Sequence, residues 1–328
     1  MKVSQERVDR GMVLSPNGNS VGPRDAKVTI SSMQHVSVCM CTYKRPVLLR
    51  RLLEELDKQD TGGLFTFSIV VVDNDQSESG RQVVEKFTAA SSIRVTYCVE
   101  PRQNIALARN KAVENATGGF VAFIDDDEFP TGRWLWSLFT SCITHNAAGV
   151  LGPVRPHFPH PPPPWIVKSK LAERPTYETG HVMDWRQSRT GNVLFKKEIL
   201  VGCGEPFRPQ FGTGGEDVDF FERMTKSGCV FIWCNEADVY EVVPEARCTR
   251  MYHIRRALLR GRNSLQREGP GVFSIAKSLI AIPAYGFVLP ILFVVGHHHF
   301  MKYLIKLCDH AGKLFALIGL NLLKVREG

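Results

Sequence analysis

The feature that decides the fold of this chain is the stretch Gly119-Phe120-Val121-Ala122-Phe123-Ile124-Asp125-Asp126-Asp127. Its apolar part is typical of a buried β-strand, and the strand ends abruptly in three carboxylates. Buried carboxylates are costly without partners, so either a cation compensates these charges or they form a solvated turn. Mg²⁺ and Mn²⁺ take oxygen ligands and are commonly held by one or two carboxylates plus substrate. The neighbouring segments decide between the two interpretations.

Three further apolar segments, at residues 36–40, 67–72 and 93–99, predict strands of the same sheet. After the first segment, Pro46 opens a series of leucines at helical spacing. Residues 105–116 have the same spacing and are followed by a Thr-Gly-Gly stop. This alternation predicts an α/β fold, with a mostly parallel sheet flanked by helices.

Polar residues follow each predicted strand. They are residues 41–43 after the first strand, 73–75 after the second, 100–102 after the third and 125–127 after the fourth. The carboxyl ends of parallel strands share one edge, and ligands bind in the crevice outside that edge. We therefore expect a ligand site that includes Asp73 and the aspartate triplet. For Asp73 alone, an Asx turn is the alternative.

The composition is that of a globular protein, with 328 residues, 44% hydrophobic and 23% charged. The net charge of +8 is uneven, because arginines crowd between residues 247 and 267. Nine cysteines without a CxxC pair predict reduced, mostly buried thiols. Residues 1–34 lack the apolar core of a signal peptide and are predicted to be a poorly ordered tail.

A series of motifs resembles family 2 of the inverting glycosyltransferases, whose GT-A fold is a single nucleotide-sugar-binding α/β domain. The motifs lie, in the order that the family has them, at residues 38–46, 69–74, 104–110, 121–127, 190–195 and 214–220. Residues 151–154, Trp165 and residues 239–245 particularly resemble the succinoglycan-type glucosyltransferases that extend lipid-linked repeat units. The resemblance implies a GT-A domain over residues 35–262.

The resemblance also implies site residues. Asp217 would be the catalytic base, with Glu216 beside it, and Asp127 would hold a Mn²⁺ or Mg²⁺ ion together with Asp125. The implied nucleotide-sugar contacts are Thr42, Asp73, Arg109 and Asp125. The candidates for acceptor or diphosphate contacts are Trp165, Asn192, His253 and Arg256.

Several of these residues have ordinary structural alternatives. Asp217 would also suit the first turn of a helix, where a carboxylate interacts well with the dipole. Arg109 could be a helix-surface arginine, and Trp165 could pin a proline-rich loop to the core. The arginines near Arg256 suit phosphate geometry, but also a solvated helix face or an anionic membrane.

Two departures from the family pattern stand out. Many members carry a glycine after the asparagine of the 104–110 motif, where this chain has Ile105, and this leaves open how the nucleotide loop fits. The QxxRW motif of processive synthases is absent, which argues against a cellulose-type or hyaluronan-type polymerase.

The last part of the chain, residues 263–328, is predicted to be a helical, membrane-associated region. Residues 278–296 carry no charge and have about the length of one spanning helix. Because of Pro283 and Pro290, a bent or re-entrant segment is an alternative to a spanning helix. A buried core hairpin is a second alternative. Residues 303–323 have the amphipathic pattern of an interfacial helix. We expect membrane association with the catalytic domain facing the cytoplasm.

The resulting hypothesis is an inverting, metal-dependent, non-processive hexosyltransferase. It would move a hexose, with glucose favoured, from a UDP-sugar to a polyprenyl-diphosphate-linked saccharide in exopolysaccharide or cell-surface glycan synthesis. The alternatives are a soluble or protein acceptor, or a non-catalytic membrane-docked binding protein on the same scaffold. No nucleic-acid partner is expected, because the arginines lack a recognisable binding motif.

Overall fold

The computed structural model describes residues 33–212, 214–268 and 271–320. The strands are β1 (Gln34–Thr42), β2 (Phe65–Asp73), β3 (Val95–Val99), β4 (Phe120–Ile124), β5 (Glu128–Pro130), β6 (Gly149–Leu151), β7 (Val154–His157), β8 (Asn192–Lys196), β9 (Phe231–Trp233) and β10 (Val239–Val242). The α-helices are α1 (Pro46–Leu56), α2 (Arg81–Ala90), α3 (Ile105–Asn115), α4 (Trp134–Thr144), α5 (Pro164–Ser169), α6 (Glu216–Lys226), α7 (Arg250–Glu268), α8 (Val272–Val295) and α9 (His297–Leu317). The predicted tail lies outside the described residues except for its end, where β1 begins at Gln34.

The central sheet has seven strands in the order β3-β2-β1-β4-β8-β6-β9. The first four are parallel, β8 is antiparallel to β4 and β6, and β9 is parallel to β6. A second sheet has the order β5-β10-β7. The prediction of a mostly parallel sheet flanked by helices is confirmed.

The register of this sheet brings the predicted strand ends together. Thr42 at the end of β1 is opposite Asp73 at the end of β2, and Asp73 is opposite Val99 on β3. On the other side of β1, β4 pairs through Cys39 and Phe123, so the aspartate triplet leaves the sheet at the same edge. The predicted polar edge therefore exists.

The two predicted crossover helices form where the sequence placed them. Pro46 is the first residue of α1, and the leucines of this helix pack into the core: Leu49, Leu52, Leu53 and Leu56 are fully buried. In α3 the side chain of Asn104 accepts hydrogen bonds from the backbone N–H groups of Ala106 and Leu107. This is an N-cap, which satisfies two N–H groups that the helix leaves unpaired.

The C-terminal helices correct part of the sequence prediction. Helix α7 runs through the boundary predicted at residue 262, so no break in secondary structure separates the two regions there. Helix α8 is continuous through Pro283 and Pro290 and is long and apolar enough to cross a membrane. Only 6% of its most apolar window is buried, which excludes the buried core hairpin. Helix α9 begins at His297, earlier than predicted.

Candidate active site

A cleft of about 580 Å³ opens at the carboxyl edge of the parallel strands. Its walls come from the ends of β1, β2 and β4, the start of α3, and the segment from β10 to α7. The lining includes Thr42, Arg45, Asn74, Asn104, Arg109, Asp125, Asp126, Asp127, Arg247 and Arg256. Predicted site residues from three separate motifs, together with Arg256 of the arginine-rich stretch, therefore share one concave surface.

The middle aspartate of the triplet, Asp126, is a structural residue. Its two oxygens accept hydrogen bonds from the Thr42 hydroxyl and the Arg45 guanidinium, each at 2.9 Å. Burial raises the pKa of Asp126 to about 6, although Arg45 and Thr42 oppose this shift. Asp126 thereby ties the loop after β1 to the end of β4.

Its neighbours Asp125 and Asp127 lie on the cleft surface, with 47% and 15% of their side chains exposed. The Asp127 carboxylate lies 3.3 Å from the guanidinium of Arg45 and 3.6 Å from that of Arg247. Burial and the charge of Asp125 raise the pKa of Asp127, while Arg45 opposes the shift. These two carboxylates are thus available to a ligand in the cleft.

The donor set of the cleft fits a divalent metal ion. In the described part of the chain, no cluster of three or more His, Cys, Asp or Glu side chains could hold a metal without help. Asp125 and Asp127 supply hard oxygen ligands on one wall, which suits Mg²⁺ or Mn²⁺ when substrate oxygens complete the shell. The oxygen Oε1 of Glu128 is buried and has no hydrogen-bond partner, while its Oε2 accepts a hydrogen bond from the Asp125 N–H.

Arg109 connects the two halves of the site. It is 7% exposed and donates to Glu216 on α6 and, at 3.4 Å, to Asp125 after β4. Burial lowers the pKa of Arg109, but the charges of Asp125 and Glu216 outweigh it, and the net shift is upward. Arg109 is therefore a buried member of an ion triad, which excludes the surface-arginine alternative.

Asp217, next to Glu216, lies in the first turn of α6. The helix follows Gly214 and Gly215, whose φ values of 128° and 102° favour glycine. The carboxylate of Asp217 accepts a hydrogen bond from the Val218 N–H at 2.7 Å, and its other oxygen lies 3.7 Å from Arg189. Asp217 is thus placed as the structural alternative predicted, in the first turn of α6. Its side chain remains 17% exposed, and it is not among the residues that line the cleft.

Asp73 and Thr42, predicted to contact the nucleotide, are buried. Asp73 is 0% exposed and accepts hydrogen bonds from the Gly80 N–H, the Tyr97 hydroxyl and the Asp75 N–H. The bond from Asp75 is the Asx turn named as the alternative. The oxygens of Asp73 are engaged within the protein, and Asp73 is not among the residues that line the cleft.

Asn74, which follows Asp73 and was not predicted as a site residue, lines the cleft. Its amide donates to the carbonyls of Glu100 and Arg102 and accepts from the N–H of Asn104. It therefore joins the ends of β2 and β3 to the cap of α3.

Ile105 is the first residue of α3 and does not have a positive φ. The backbone therefore does not require a glycine at this departure from the family pattern.

The four acceptor or diphosphate candidates separate in the structure. Arg256 lines the cleft and donates to the Tyr252 hydroxyl at 2.8 Å. Trp165 lies away from it, edge-on to the rings of His253 and His297. This contact fits the alternative that Trp165 pins its loop, here onto α7 and α9. His253 belongs to the same aromatic cluster rather than to the cleft lining.

Asn192 lies at the start of β8, opposite Ile124 at the end of β4, and is not among the residues that line the cleft. It is 2% exposed, donates to the carbonyls of Pro153 and Ala237, and accepts from the indole N–H of Trp134. These bonds engage both the oxygen and the NH₂ group of the Asn192 amide. Asn192 therefore has a structural role and does not make the predicted acceptor or diphosphate contact.

Substitution of Asn192 by alanine is expected to lower the free energy of unfolding by about 3 kcal/mol, because three buried polar partners lose their bonds. Urea unfolding followed by circular dichroism measures this change. Asn115→Ala is the matched control, since Asn115 makes one local bond to the Lys111 carbonyl. An Asn192→Ala protein as stable as the control would contradict this role.

Two arginines of the cleft, Arg45 and Arg247, were not predicted as site residues. Arg45 and Arg247 both contact Asp127, and Arg247 also binds Glu241 at 2.6 Å. Arg45 belongs to the 38–46 motif, and Arg247 begins the arginine-rich stretch. Composition marked that stretch as basic, but only the fold shows which arginine reaches the aspartates.

Residues 37–202 match a family described as Glycosyl transferase family 2. The succinoglycan biosynthesis protein ExoM of Rhizobium meliloti (strain 1021) is 31% identical over 294 residues, which cover 88% of this chain and 94% of that protein. Chondroitin synthase of Pasteurella multocida (strain Pm70) is 26% identical over 229 residues, covering 60% of this chain and 23% of that protein.

Solved structures have the same fold. The mannosyltransferase PcManGT from Pyrobaculum calidifontis, in complex with GDP-Man and Mn²⁺, has a TM-score of 0.59 and 18% identity over 87% of this chain and 88% of that one. S. aureus TarS 1-349 in complex with UDP has a TM-score of 0.51 and 16% identity over 90% and 95% of the two chains. From the matched family and the relative at 31% identity, we conclude that this chain belongs to glycosyltransferase family 2.

Proposed function

We propose that this glycosyltransferase moves a hexose, with glucose favoured, from a UDP-sugar to a lipid-linked saccharide, with inversion and with the help of a divalent metal. The observation that carries this proposal is the ion triad of Asp125, Arg109 and Glu216. It links the carboxylates that would hold the leaving group to the helix that bears the proposed base. The proposed metal ligands and the helix of the proposed base are thereby connected through one buried arginine.

In the proposed reaction, Asp217 takes the proton from the acceptor hydroxyl as this oxygen attacks the anomeric carbon. The bond from that carbon to the diphosphate breaks, and UDP leaves with the electron pair. Attack from the face opposite the leaving group inverts the anomeric configuration. A metal ion bound by Asp127 and Asp125 would act as a Lewis acid on the diphosphate.

The arginines of the cleft would assist the leaving group. Arg45 and Arg247 now neutralise Asp127, and Arg256 lines the same surface. Guanidinium groups match phosphate oxygens in geometry and charge. We infer that Arg247 and Arg256 turn toward the diphosphate when it binds.

The choice of donor and acceptor draws on the relatives. The TarS structure contains UDP, and the PcManGT structure contains a GDP-sugar with Mn²⁺. ExoM, which covers most of this chain, is a succinoglycan biosynthesis protein. Helix α8, with the composition of a membrane helix, favours an acceptor that resides at a membrane.

The test is release of UDP, GDP or another nucleoside diphosphate from a panel of nucleotide-sugars, with membrane extract as acceptor. The expected result is the fastest release from UDP-glucose, dependent on Mn²⁺ or Mg²⁺ and on the extract. Faster release from a GDP-sugar would contradict the donor proposed here. Binding of UDP-sugars without turnover on any acceptor would favour the non-catalytic alternative.

A further inference from the structure

Helix α8 presents a continuous apolar surface to solvent. Phe273, Ile280, Phe287 and Val294 recur at heptad spacing and are 88%, 71%, 79% and 86% exposed. They therefore form one stripe along the whole helix, which we call the α8 stripe. Exposed apolar surfaces of this extent mark interaction sites.

The opposite side of α8 packs on α9, and the two helices run antiparallel. Near the start of α8, Ser274 accepts a hydrogen bond from Lys313 at 2.7 Å. Near its end, the ring of Phe293 lies 5.4 Å from that of Phe300. The start of α8 thus contacts the end of α9, and the end of α8 contacts the start of α9. Helix α9 therefore lies alongside α8 over its length.

This pairing sets charged groups beside the middle of α8. The ring of Tyr285 is 5.8 Å from that of Tyr303, so Lys302 and Lys306 lie level with the central turns of α8. If α8 crossed a bilayer, both ammonium groups would lie near the centre of the hydrocarbon layer. That position is strongly unfavourable, and a lysine stem is too short to reach the headgroups from it.

Helix α9 is in turn fixed to the catalytic domain. Arg260 on α7 makes two hydrogen bonds to Asp309, at 3.1 and 2.9 Å. At Gly312 the helices approach so closely that an added Cβ would lie 2.1 Å from the Leu258 carbonyl oxygen. Since α7 also carries Arg256 of the cleft, a spanning α8 would draw the catalytic domain itself toward the lipid.

We propose that α8 does not span the membrane but lies flat in one leaflet, with the α8 stripe toward the acyl chains and α9 and α7 on the aqueous side. The amphipathic unit is then the pair of helices, in which α8 is the apolar layer and α9 the basic layer. Lys277 on α8 and Lys302 and Lys306 on α9 are exposed and suit anionic headgroups. Both ends of α8 remain on the same side of the membrane.

This inference deepens the proposed function. It rests on the proposed function in one respect only, that the acceptor is carried by a membrane lipid. A flat α8 would hold the cleft at a fixed height above the leaflet, so that a diphosphate-linked saccharide reaches Asp217 while its lipid stays in the membrane. A depth measurement tests the arrangement without any turnover, so its failure is distinguishable from a failure of the donor assay.

The experiment places a fluorescent amino acid in the full-length protein at position 273, 280, 287 or 294, one at a time. Each protein is bound to phosphatidylcholine vesicles with or without phosphatidylserine, and lipids brominated at defined depths quench the fluorescence. A flat helix predicts the same shallow depth at all four positions, about 5–10 Å below the headgroup boundary. It also predicts tighter binding to the anionic vesicles.

Other outcomes would overturn the proposal. Positions 280 and 287 near the bilayer centre, about 15 Å deep, with 273 and 294 near its two surfaces, would show a spanning helix. Absence of quenching at all four positions would show that lipid does not cover the stripe. A dimer detected by sedimentation would then identify a second copy of the chain as the group that covers it. Vesicle binding of Phe287→Glu should fall at least tenfold, whereas Val201→Glu, an exposed apolar residue of the catalytic domain, should bind as the wild type does.

Discussion

Replacing Asp217 with asparagine is expected to abolish sugar transfer while nucleotide and metal binding persist. Asparagine has nearly the shape of aspartate and can still accept the hydrogen bond from the Val218 N–H, so the start of α6 should keep its conformation. It cannot take a proton from the acceptor hydroxyl. Loss of a positioned base lowers kcat by about 10²–10⁴-fold.

Two measurements on Asp217→Asn separate catalysis from binding. Calorimetric titration with UDP and Mn²⁺ should give affinities like those of the wild type, while kcat falls. Glu222→Gln on the same helix is the matched control, because Glu222 forms an exposed pair with Lys226 and should leave kcat unchanged. An Asp217→Asn enzyme with full turnover would remove Asp217 from the role of base.

Replacing Asp127 with asparagine is expected to weaken metal binding and transfer together. A neutral amide is a poorer ligand for Mg²⁺ or Mn²⁺ than a carboxylate, and Lewis-acid stabilisation of a leaving diphosphate is worth several kcal/mol. A loss of about 3 kcal/mol corresponds to about 10²-fold in rate. The fold should survive, since Arg45 keeps its bond to Asp126 and Arg247 keeps its bond to Glu241.

Electron paramagnetic resonance of Mn²⁺ in the presence of UDP measures the metal affinity of Asp127→Asn directly. The affinity should fall by tenfold or more, and excess Mn²⁺ should restore part of the activity. Asp60→Asn, which removes an exposed carboxylate paired with Arg133, is the control. Unchanged Mn²⁺ affinity in Asp127→Asn would show that another group holds the metal.

The sequence predicted the architecture well because its signals are local. Strand β4 and the start of α1 at Pro46 lie where periodicity and turn residues placed them. The sharing of one edge by Thr42, Asp73 and the aspartate triplet followed from the parallel topology alone, and the register confirms it. The identification of the family rested on the order of motifs, which the comparisons support.

The sequence was less successful at predicting which side chains face the cleft. Asp73 and Asn192 were chosen as contacts because they stand in recognisable motifs, yet both are buried and bonded within the protein. Trp165 follows a proline run, and its surroundings depend on α7 and α9, more than eighty residues away along the chain. A motif locates a residue in the chain but does not determine which way its side chain points.

By itself, the sequence determined the α/β fold, the carboxylate-rich strand end, the family and the apolar length of α8, since each depends on patterns within a few turns or strands. Only the tertiary structure decided that Asp126 is structural while Asp125 and Asp127 face the cleft, that Arg109 joins them to α6, and that charged α9 lies along α8. Those features depend on contacts between distant segments. The physical reason is that burial and charge compensation arise only when strand order and helix packing bring such segments together.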